Sequence, residues 1–284
     1  MQRILIFLTL ALLPFTACKP SAIPTTLWGN GARQETRTIQ HNGVSVDVII
    51  DKPEGTIMDV LVVYHGTVLY DSLILDAAQN TLDGFKSIVE QKNMMYVSVA
   101  YPEENLLMGD NVQHAEAALL WVKEQCAKEL GIQINKVFLG GHSQGGYVVT
   151  RLNTLQATNG VIANAPGPLN LLYRCGLEES GQIPSGITCG LMANTYGSTL
   201  INPNAYIERS LLHFTQGHKA DILLVQGLND TPIQLYSWPT FKQQMVQNNP
   251  LVNVSITEIP GGAHPSLFGT PEGKTALNNF LKNH

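Results

Sequence analysis

The chain has 284 residues, 44% of them hydrophobic and 14% charged, and a formal net charge of −5. Such a chain can bury one large core and needs no second domain to do so. It has no basic block, which excludes the usual electrostatic footprint for nucleic acid, and no nucleic-acid partner is expected.

Taken in order, the chain opens with Arg3 and an apolar run from Ile4 to Leu13 broken only by Thr9, followed by Phe15-Thr16-Ala17-Cys18. The run is short for a bilayer span and reads as an export signal over residues 1–17. Phe15 suits a simple signal-peptidase site poorly. The segment instead resembles a bacterial lipoprotein signal, in which the cysteine becomes the lipidated first residue. That resemblance implies lipid attachment at Cys18 and a membrane contact through the acyl chains. Lys19 in place of Asp points, by the same resemblance, to the outer membrane of a Gram-negative bacterium. Ordinary secretion to the periplasm and an uncleaved anchor are the alternatives. Residues 18–40 hold Pro20, Pro24, Gly29 and Gly31 and read as a tether leading into a domain over 41–284.

Val44 to Ile50 reads as a strand, antiparallel at the sheet edge, with a turn at Asp51–Gly55. Val60 to Tyr64 is an unbroken run suited to a strand covered on both faces. His65-Gly66-Thr67 follows, where a glycine lets a backbone amide turn into the crevice at the strand end. The amides of Thr67 and Gln144 are the expected oxyanion donors, and His65 is assigned a packing role. A helix follows over Asp71 to Gln91, interrupted near Gly84. Met94 to Ala100 is a strand, and Tyr101–Asn105 is a loop on the same sheet edge as the site. Asn111 to Leu130 is an amphipathic helix stopped by Gly131, with His114 on its exposed side and Cys126 in the core.

The run Val137–Leu139 then ends in Gly140-Gly141-His142-Ser143-Gln144-Gly145, and a helix-compatible stretch extends to about Gln156. This is strand, sharp turn and helix, with a serine at the apex. Glycines on either side remove the Cβ atoms that would keep strand and helix apart. Ser143 is the candidate nucleophile; a Gly-rich turn with an inert serine is the competing reading.

After a short strand at Val161–Ala163, residues 166–217 break the alternation, too long for an ordinary connection. They read as a cap over the crevice. Cys175 and Cys189 lie in it and, in an oxidising exported protein, are expected to close a loop as a disulfide, with Cys126 the alternative partner. The strand Ile222–Val225 leads to Gly227-Leu228-Asn229-Asp230, and Asp230 has the position required of a triad acid. A helix over Pro232–Asn248 and a strand over Val252–Ile259 follow. Then comes Gly261-Gly262-Ala263-His264, a loop that can turn an imidazole back toward Ser143. Pro271–Asn283 closes the domain with a helix.

The order serine, acid, histidine, with His65-Gly66, Gly141-His142-Ser143-Gln144-Gly145-Gly146, Gly227-Leu228-Asn229-Asp230 and Gly262-Ala263-His264, resembles the α/β-hydrolase superfamily. The spacing is most similar to esterases of the dienelactone-hydrolase and prolyl-oligopeptidase groups; Thr67 replaces the further glycine of the hormone-sensitive-lipase loop. The resemblance implies an α/β fold with a mostly parallel sheet, flanking helices and an inserted cap. It implies a Ser143, His264, Asp230 triad acting on a small-molecule ester, with no metal and no organic cofactor. A serine peptidase, an acyltransferase and a non-catalytic surface binding lipoprotein are the other readings, and the oligomeric state is left open.

Overall fold

The computed structural model describes residues 28–284. The expected export signal, Cys18 and the first part of the expected tether lie outside the described residues. Strands β1 (Arg33–His41), β2 (Val44–Lys52), β3 (Ile57–Tyr64) and β4 (Met94–Ala100) come from the first part of the chain. They are followed by β5 (Gln133–His142), β6 (Gly160–Asn164), β7 (Ile222–Gly227) and β8 (Val254–Ile259). They form one sheet in the order β1-β2-β4-β3-β5-β6-β7-β8. The β1–β2 and β2–β4 pairs are antiparallel; every other pair is parallel.

The first strand corrects the expected edge. β1 occupies residues that read as tether, and β2 therefore lies one position inside the sheet. Asn42 and Gly43 both have positive φ, 47° and 82°, and close a two-residue hairpin that runs in register from His41↔Val44 to Arg33↔Lys52. Arg33, Glu35 and Arg37 leave β1 with little apolar periodicity. Such charges suit an edge strand, where they discourage pairing with another chain.

Helices cover both faces. On one lie α2 (Val112–Trp121), continued by a wider turn at Val122–Cys126 and by α3 (Ala127–Leu130), then α4 (Gln144–Leu155) and α8 (Pro232–Asn248). The other carries α1 (Ile74–Ile88) and α10 (Pro271–Asn283). Val60, Val62 and Tyr64 of β3 point into the first layer, Leu61 and Val63 into the second. Burial on both faces is why that strand reads as a continuous apolar run rather than an alternation. α1 passes through Gly84 without a break, against the expected interruption. A Cβ there would stand 3.4 Å from the Phe268 ring, so the glycine serves packing between α1 and the short helix α9 (Ser266–Gly269).

The segment 166–217 carries α5 (Leu171–Glu179), α6 (Ile187–Tyr196), α7 (Pro203–Ile207) and a 3-10 turn at Leu211–Phe214. Cys175 and Cys189 are bonded, with Cα atoms 5.3 Å apart, and join α5 to α6; Cys126 is a buried free thiol. Arg209 donates to Met108 O at 2.7 Å and to Asp110 at 2.6 Å, tying the end of this insert to the loop before α2. Among the described residues, no helix is long and apolar enough to cross a membrane.

Candidate active site

The parallel register aligns the C-terminal ends of the central strands. Tyr64 is level with Gly141, His142 with Asn164, and Gly227 with Ile259. Each following loop therefore emerges at the same rim.

Ser143 sits between β5 and α4 with φ 57° and ψ −118°, a conformation that strains a non-glycine residue by roughly 1–3 kcal/mol. The backbone around it holds that geometry. Its N–H donates to Asn164 O at 2.9 Å, and its carbonyl accepts from Tyr147 N and Gly167 N, each at 3.1 Å. The close approach explains the flanking glycines. A Cβ on Gly145 would stand 1.9 Å from Tyr64 O, and one on Gly141 would stand 2.1 Å from Gly145 O.

Asp230 follows β7 and His264 follows β8. Gly227 allows the two loops to touch, since a Cβ there would meet Gly262 O at 2.2 Å; Asn229 N donates to that same carbonyl at 2.8 Å. The contact brings His264 Nδ1 to 2.7 Å from Asp230 Oδ2. Burial alone would raise the Asp230 pKa. Hydrogen bonds from His264, Gln226 and the Thr231 amide outweigh it and hold the carboxyl below its ordinary range.

Ser143 and His264 line one cavity of about 450 Å³. No hydrogen bond joins the Ser143 hydroxyl to the imidazole in the free protein, where such links are often long or open. Pro168, Leu169, Arg174 and Thr188 of the insert form part of the wall, with Thr67, Ile233 and Gln234. The insert thus contributes part of the cavity wall.

The loops bearing Thr67 and Gln144 face each other across the serine. Thr67 Oγ1 donates to Gln144 Oε1 at 2.7 Å, and a Cβ on Gly66 would lie 3.5 Å from Ser143 Cβ. Gln144 is the first residue of α4, so its amide has no acceptor within the helix. His65 is fully buried, stacks on Tyr101 with ring centroids 4.1 Å apart, and its Nδ1 donates to Gly66 O at 2.7 Å. It braces the loop, in keeping with the packing role read from the sequence. His114 departs from expectation: it is half-buried, with a shielded Nδ1.

Four further polar residues support the site. Gln226 Nε2 donates to Asp230 Oδ2 at 2.9 Å, Gln234 Nε2 donates to Gln226 Oε1 at 3.1 Å, and the same Gln234 amide reaches Pro166 O at 2.8 Å. A chain of buried amides therefore links the acid to the segment behind the serine. His142 is the third of them; its ring centroid lies 4.8 Å from that of His264, and its Nδ1 meets the fourth, Asn164, at Nδ2 and 2.8 Å. Burial, with the neighbouring His264 adding to it, lowers the His142 pKa to about 4 and keeps the ring neutral. His142 lies within the serine motif, but nothing local in sequence marks the two glutamines or Asn164. Among the described residues, no group of three or more His, Cys, Asp or Glu is placed to hold a metal ion.

No family model matches the sequence, and no curated protein matches it. Solved structures do match in shape. Est1E from Butyrivibrio proteoclasticus is 12% identical at a TM-score of 0.62, over 87% of this chain and 98% of its own. A truncated carbohydrate esterase from gut microbiota is 14% identical at 0.66, over 89% and 96%. An acylaminoacyl peptidase of Pyrococcus horikoshii is 15% identical at 0.62, over 89% of this chain but 42% of the peptidase. Sheet order, covering helices and these likenesses agree: the chain has the α/β-hydrolase fold.

Proposed function

We propose that the protein is a serine hydrolase that cleaves carboxylic esters of small molecules through Ser143, His264 and Asp230. The observation that carries this reading is the Asp230–His264 hydrogen bond beside the cavity that also holds the strained Ser143. The carbohydrate esterase among the structural neighbours supports it.

In the proposed reaction, His264 Nε2 takes the Ser143 proton as the hydroxyl attacks the ester carbonyl. Asp230, bonded to Nδ1, sets the tautomer and stabilises the imidazolium. The amides of Thr67 and Gln144 receive the oxyanion, a contribution of several kcal/mol. The imidazolium then protonates the departing alcohol. Water activated by the same ring releases the acid from the acyl-enzyme.

Labelling with a fluorophosphonate probe tests the assignment: wild-type protein reacts at Ser143 and Ser143→Ala does not. Full esterase activity in Ser143→Ala would remove the serine from the mechanism. p-Nitrophenyl esters of increasing length, assayed beside peptide amides, separate esterase from peptidase; faster turnover of the amides would favour the peptidase.

We also propose that the chain is exported and anchored through a lipidated Cys18. The disulfide between Cys175 and Cys189 suits an oxidising compartment. Mass spectrometry of the mature N-terminus decides the anchor, and an unmodified Cys18 would exclude it.

A further inference from the structure

Beside the main cavity lies a side chamber of about 40 Å³, lined by Glu103 and Asn111 and walled by leucines of the loop before α2. It meets the main cavity at Thr67, Met108 and Thr188, and Gln144 forms part of its wall. The chamber therefore adjoins both proposed oxyanion donors. Its volume suits a small polar substituent such as a hydroxyl or hydroxymethyl group.

Two side chains of its lining each carry a buried oxygen with no hydrogen-bond partner among the described residues, Glu103 Oε1 and Asn111 Oδ1; the Tyr101 hydroxyl beside the Glu103 carboxyl donates to His65 O. The Glu103 side chain is 5% exposed and Asn111 is 2% exposed, so bulk water does not serve them. Native proteins rarely leave such atoms unpaired without a use for them. Asn111 occupies the N-cap of α2, where asparagine ordinarily accepts from the first helical amides; here its side chain makes no cap bond. Glu103 is held from the other side, its Oε2 accepting from Val68 N at 2.8 Å. His65 Nδ1 stands 3.9 Å from Oε1 and gives its proton to Gly66 O instead.

We propose that this chamber is a subsite for a hydroxyl group of the substrate, bound between Glu103 Oε1 and Asn111 Oδ1. The proposal rests on the serine-hydrolase reading and extends it to substrate class: esters hydroxylated close to the scissile bond. Burial pushes the Glu103 pKa up to about 8, so the carboxyl is neutral near pH 7. Since Oε2 accepts from Val68 and the Tyr101 hydroxyl already donates to His65 O, the proton of the neutral carboxyl is assigned to Oε1. One hydroxyl then satisfies both orphans, accepting from Oε1–H and donating to Asn111 Oδ1. An ammonium group, which has no lone pair to offer, fits this pair less well.

The test compares kcat/KM at pH 7 for ester pairs differing by one hydroxyl, followed by pH-stat. Methyl butyrate is paired with methyl 2-hydroxybutyrate and methyl 3-hydroxybutyrate, and ethyl butyrate with 2-hydroxyethyl butyrate. At least one hydroxylated member is expected to exceed its parent about tenfold. That ratio should fall toward one in Asn111→Leu and persist in Glu103→Gln, whose amide still offers a donor. Hydrolysis of the parent esters with no hydroxyl preference in the wild type overturns the subsite alone, whatever the variants do. So does a preference that survives Asn111→Leu, which would leave the chamber as a water site. If no ester is cleaved and Ser143 is not labelled, the serine-hydrolase reading and the subsite fall together.

Discussion

At the scale of single residues, the site depends on charges whose surroundings are sharply different. Asp230 is stabilised as a carboxylate by three donors, and in the proposed mechanism its charge is available to an imidazolium on His264. Asp230→Asn preserves size but removes that charge, and the amide can enforce the wrong tautomer. Steady-state assays should show kcat reduced by roughly 10³–10⁴-fold with folding intact; a loss under tenfold would mean the aspartate is a structural turn residue. Glu103 has the opposite environment. Its folded pKa, about 8, lies above the ordinary carboxyl value, with Asp71 adding to burial and His65 facing it. Between roughly pH 4.5 and 8 the unfolded chain is ionised at this position and the folded chain is not. Stability at this residue therefore falls as pH rises through that window and levels off above it. Urea unfolding of Glu103→Gln should show little difference from wild type at pH 5 and a clear gain at pH 9; equal differences at both would show that Glu103 titrates normally.

At the scale of elements, the glycines decide where backbones meet. A Cβ on Gly145 overlaps Tyr64 O, which belongs to the neighbouring strand and cannot swing aside as a side chain would. Gly145→Ala should destabilise the fold by several kcal/mol, read as a lowered urea midpoint, because β3 and α4 must separate. A midpoint unchanged from wild type would mean the elbow relaxes at no cost. The segment 166–217 carries a covalent link. Cys175 and Cys189 are separated by 14 positions, and closing a loop of that size contributes roughly 3 kcal/mol through unfolded-chain entropy. The Cys175→Ser, Cys189→Ser pair should lose about that much in equilibrium unfolding and lose its sensitivity to reductant. Reductant sensitivity that survives the double substitution would place a disulfide elsewhere.

At the scale of the whole molecule, the rim is made by parallel strands that all end together, so each strand-ending motif could be read before its partners were known. Val60–Tyr64, Val137–Leu139 and Ile222–Val225 are runs whose apolar character follows from cover on both faces, and Ser143 and Asp230 stand just beyond two of them. β1 escaped because its charged residues obscure any apolar period, although Asn42-Gly43 was a legible hairpin signal. Gln226, Gln234 and Asn164 escaped for another reason: an amide gains its role from what lies across a gap closed by distant parts of the chain. Local sequence determined the strand ends, the elbow and the residue types offered for the proposed triad, since these depend on backbone sterics and periodicity over a few residues. Tertiary structure alone decided that β4 lies between β2 and β3, that His264 meets Asp230 rather than solvent, and that Glu103 and Asn111 share one chamber. Those outcomes depend on contacts between residues far apart in the chain, and no short window of sequence contains both partners.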